Sequence, residues 1–68
     1  MIIEIYRKDD EIMNRPANKK DKALFKHCSG GYDAVKTRYL SAVVIPLLQI
    51  HGVSVIEYED NRGKVNKE

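Results

Sequence analysis

Sixty-eight residues make one domain, close to the lower size at which a single core sustains a fold without disulfides, metal or a partner chain. A composition of 43% hydrophobic and 32% charged residues excludes a disordered chain, and the single cysteine, Cys28, excludes an internal disulfide framework and points to a cytoplasmic setting. The net charge of +2 hides an uneven distribution: Arg15, Lys19, Lys20, Lys22, Lys26, Lys36 and Arg38 face only Asp21 and Asp33 in the middle of the chain, whereas Glu57, Glu59 and Asp60 make the late segment acidic.

The β-branched and aromatic run Ile2-Ile3-Glu4-Ile5-Tyr6-Arg7 predicts a first strand over residues 2–7, with Ile3 and Ile5 on one face and Ile2, Glu4 and Tyr6 on the other. The start lacks the basic and apolar regions of a secretory signal. Lys8 to Glu11 reads as a charged turn, after which Ile12 and Met13 either continue as an edge strand or anchor a loop. Asn14 to Asn18, with Pro16 at its centre, breaks the chain, because the residue before a proline is pushed away from helical angles.

A short helix over residues 19–28 follows, with Asn18 as N-cap, Asp21 at the positive end of the helix dipole and a narrow stripe of Leu24, Phe25 and Cys28. Ser29-Gly30-Gly31 ends it, since glycine takes the left-handed conformation at little steric cost. The pattern then predicts a second helix from Tyr32 to Ile50, kinked at Pro46 and closed by His51-Gly52; the alternative ends that helix near Ser41 and leaves 43–45 extended. At about 100° per residue, Tyr32, Val35, Tyr39, Ala42, Val43, Pro46, Leu47 and Ile50 form the expected core face, and Leu40, Val44 and Leu48 form a separate flank.

Val53 to Glu59 predicts the last strand, lying antiparallel beside the first with Arg7 and Glu57 facing each other in one possible register. Residues 60–63 have turn chemistry, and 64–68 read as a flexible tail or a short returning strand. The expected fold is therefore a two-layer α+β domain of order β-α-α-β, a helical hairpin on a small antiparallel sheet. The apolar run 42–50 is too short for a bilayer, which needs about 20 residues, so no membrane partner is expected.

No motif in the chain calls for catalysis, metal or cofactor. Neighbours His27 and Cys28 point about 100° apart on a helix and form no dyad with each other, so a partner for the thiol has to be His51. Ser29-Gly30-Gly31 lacks the lysine and serine of a phosphate loop and is followed by Asp33, which repels phosphate. Two readings carry more. The flank Leu40, Val44, Leu48 exceeds what a two-stranded sheet and a short helix can cover, and marks a protein interface or homodimer contact. The basic residues Lys19, Lys20, Lys22, Lys26, Lys36 and Arg38 steer towards an acidic partner or, as the alternative, let the helix 19–28 follow a nucleic-acid backbone. The expectation is a non-enzymatic protein-binding or regulatory module of the kind used by small bacterial or phage inhibitors that block a larger host or defence protein, an analogy from size and composition.

Overall fold

The computed structural model describes residues 1–65, with side chains through residue 63. Strand β1 (Ile2–Lys8) turns into β2 (Glu11–Pro16), a 3-10 turn (Lys19–Asp21) opens helix α1 (Lys22–Cys28), and a short strand β3 (Val35–Lys36) precedes a second 3-10 turn (Thr37–Tyr39). Helix α2 (Leu40–Gln49) and strand β4 (Glu57–Val65) complete the chain. The strands form one four-stranded sheet in the order β3-β2-β1-β4. The α+β class expected from the sequence holds; the sheet is larger than expected, and it is mixed.

Ile12 and Met13 resolve as strand: β2 pairs antiparallel with β1, and Asp9 at φ +55° supplies the left-handed residue of the tight turn between them. The register puts Ile3 opposite Pro16 and Ile5 opposite Asn14, and of the Ile3–Ile5 face read from the sequence it is Ile3 that joins the core with the helices.

The long helix expected over 32–50 is corrected to α2 alone. Val35 and Lys36 pair with Asn14 and Met13 of β2, and the β-branched Val35, a weak helix former, gives up helical bonds for that pairing. The side chain of Asn14, fully buried, ties the segment down: its Nδ2 donates to the Val35 carbonyl at 3.3 Å and to Thr37 Oγ1 at 3.1 Å. The alternative of an extended 43–45 also fails, because α2 is helical there and runs on through Pro46. The two helices are not a hairpin, since β3 is inserted in the connection between them.

The last strand is corrected as well. It runs parallel to β1 with Ile2 opposite Glu57 and Tyr6 opposite Asn61, and Arg7 lies opposite Val65 rather than Glu57. The reason is where α2 delivers the chain. Val53 N–H donates to the Leu47 carbonyl, the Met1 amine donates to the Val55 carbonyl, and Glu57 N–H donates to the Met1 carbonyl, so β4 begins beside the beginning of β1 and has to run with it. Residues 53–56, expected as strand, form the approach; Val53 and Ile56 pack on the core from it. β4 continues through 64 and 65, and the remainder of the expected tail, 66–68, lies outside the described residues.

Ile3, Phe25, Val35, Val43 and Leu47 form the buried core, with Met1, Leu24, Cys28 and Leu40 packed around them. Full burial of side chains this size contributes roughly 1.5–3 kcal/mol each, which is what holds two short helices to the sheet. The opposite sheet face closes differently: Tyr6 lies under the Arg15 guanidinium, 4.3 Å from the ring centroid, and Arg15 Nε donates to Glu4 Oε2 at 3.1 Å.

Candidate functional site

The phase of α2 is set by Val43 and Leu47, which point into the core. Going round the helix at about 100° per residue, Leu40 and Val44 flank that buried pair, and Ser41, Ile45 and Leu48 lie on the far side. Leu40 is half-buried and packs on the core, Val44 is half-buried, and Leu48 is 46% exposed. The expected interface flank thus divides: Leu40 belongs to the domain's own packing, and Leu48 opens to the outside.

Ile45, 52% exposed, joins Leu48 on this open side and was missed because the expected core face was phased from Tyr32. With 32–39 folded as loop, strand and 3-10 turn, that phase is lost. Tyr32, Tyr39 and Ile50, assigned to the core face from the sequence, are exposed, and so is Ala42. A signal for the true phase was present: Val43 and Leu47 are spaced by four, and taking them as the centre of the inner face puts Ile45 outside.

Away from Ile45 and Leu48, neither of which lines it, a groove of about 480 Å³ runs between the end of α1, the 29–39 connection and the start of α2. Met13, Cys28, Tyr32, Tyr39, Ala42 and Val43 supply most of its apolar wall. The connection is braced at Ser29, whose hydroxyl donates to the Tyr32 carbonyl at 2.7 Å while Tyr32 N–H donates back to Ser29 Oγ at 3.0 Å. Burial pushes the Cys28 thiol above its ordinary range, so at neutral pH it is a protonated wall group of the groove and a poor nucleophile. The fold brings His51 to His27, ring against ring, and so pairs the expected partner of the thiol with the other imidazole.

The basic residues separate into two kinds. Lys19 and Lys20 in the 3-10 turn and Lys22 and Lys26 in α1 are exposed, with Lys22 and Lys26 one helical turn apart. Lys36 is drawn into the sheet edge, its Nζ 3.1 Å from Glu11 Oε1, and Arg38 stacks over the Tyr39 ring at 5.1 Å. Asn18 caps by position only, for its side chain makes no cap hydrogen bond.

Among the described residues no group of three or more His, Cys, Asp or Glu side chains is arranged to hold a metal ion, and no helix is long and apolar enough to cross a membrane. Compared with protein-family models, curated proteins and solved structures, the chain matches none.

Proposed function

We propose that this protein works without catalysis, as a protein-binding or regulatory module that occupies the surface of a larger protein and self-associates as a homodimer in the cytoplasm. The observation that supports this reading is the open side of α2. Ile45 and Leu48 stay 52% and 46% exposed in a chain whose small core gains from every apolar side chain it buries. Together they supply the apolar centre of a contact, and the exposed Lys19, Lys20, Lys22 and Lys26 steer an acidic partner towards the molecule.

The same four lysines favour the rival reading, binding to a nucleic-acid backbone, and one experiment separates the two. Tagged wild type and Leu48→Glu are used to capture partners from lysate with and without nuclease. A stoichiometric protein that survives nuclease and is lost from Leu48→Glu supports the module; loss of every partner on nuclease treatment gives the function to the lysine helix instead. Light scattering reads the self-association: the mass of two chains, falling to one in Leu48→Glu, is expected, and a one-chain mass for wild type at high micromolar concentration removes the homodimer.

A further inference from the structure

The chain has two histidines, and folding brings them from different elements to one place beside the C-terminal ends of both helices. Their ring centroids lie 5.3 Å apart with the planes at 84°. Each ring stands on a defined backbone. His27 sits in the last turn of α1, which closes as the Ser29 and Gly31 amides donate to the Phe25 and Lys26 carbonyls at 2.9 and 2.8 Å. His51 follows α2, its amide donating to the Pro46 carbonyl at 3.1 Å, and Gly52 at φ +67° completes the turn. Both side chains are exposed.

We propose that His27 and His51 form a chelating pair for a divalent transition metal ion of the zinc or nickel type, with water completing the coordination. Imidazole is a ligand of choice for these ions. The spacing fits: with metal–nitrogen bonds of about 2.0–2.1 Å and a tetrahedral angle, two imidazoles on one ion hold their centroids roughly 5 Å apart. Both side chains are exposed, which leaves their bonds free to turn a nitrogen of each ring towards a shared ion. The location is favourable to a cation in a second, independent way, because the negative ends of two helix dipoles meet there. Cys28, adjacent in the chain but turned to the groove wall, is left out of the ligand set.

Isothermal titration of the full chain at neutral pH with zinc chloride, and separately with nickel chloride, tests the pair against His27→Gln, His51→Gln and Cys28→Ser. Expected are saturable binding of one ion per chain, weakening of at least tenfold in either histidine variant, unchanged affinity in Cys28→Ser, and a rise in Tm with the ion that both histidine variants lose. The rise follows because the unfolded chain presents the two rings separately and binds the ion less well than the folded one. Wild-type affinity in either histidine variant overturns the proposal, as does binding lost only in Cys28→Ser or the absence of saturable binding to wild type. A variant-free check is the paramagnetic broadening of histidine ring protons by nickel: His27 and His51 broaden together if they share the ion, and broadening of one alone overturns the chelate.

Discussion

Leu47 and Leu48 are neighbours in the chain and opposites in environment, the first 0% and the second 46% exposed. The same contrast separates the two sides of α2, Val43 with Leu47 facing in and Ile45 with Leu48 facing out. Residue type does not distinguish these sides; helical phase does, and phase depends on which residues the sheet offers to the inner side. An apolar group on the inner side is part of stability, while one on the outer side adds little to folding and is available for association.

Three substitutions bear on that contrast. Leu47→Ala leaves a cavity among Ile3, Phe25, Val35 and Val43, and is expected to lower unfolding free energy by about 2–5 kcal/mol in urea titration, enough to unfold much of a domain this small. A loss below about 1 kcal/mol means the inner side is not the core. Asn14→Ala removes the two hydrogen bonds that hold Val35 and Thr37, and is expected to lower stability by about 1–2 kcal/mol. The effect is moderated because Asn14 Oδ1 is buried with no hydrogen-bond partner among the described residues, so its removal also relieves a desolvated group. Amide exchange should accelerate most at Lys36, and uniform acceleration along the chain means that β3 does not depend on this side chain. Leu48→Ala is expected to change stability by no more than about 0.5 kcal/mol. A loss comparable to that of Leu47→Ala moves Leu48 into the folded core and leaves Ile45 alone on the open side.

The parts of the fold that read correctly are those decided by near neighbours in sequence. The run Ile2 to Arg7 has no breaker and forms β1, the segment after Pro16 and Asn18 turns helical, and both glycine stops fall where Gly30 and Gly52 take positive φ. The strand β3 was not legible, because Val35 and Lys36 leave a helical pattern only in the presence of Met13 and Asn14 from β2. The phase error at Tyr32, Tyr39 and Ile45 follows from that one missed pairing. Of the candidate site, Leu48 and the four exposed lysines were legible from composition and spacing, whereas the groove, whose wall draws on β2, α1 and α2, was not.

By itself the amino-acid sequence determined that the fold is of the α+β class, where its first strand and first helix lie, and that the segment 40–50 carries more apolar surface than one helix face. Tertiary structure alone decided the direction of β4, the start of α2, and which leucine of the pair 47 and 48 is sheltered. The division has a physical cause: turns, caps and breakers act over a few residues, whereas strand pairing and helix phase are settled by partners far away in the chain, whose contacts outweigh local preferences of a few tenths of a kcal/mol per residue.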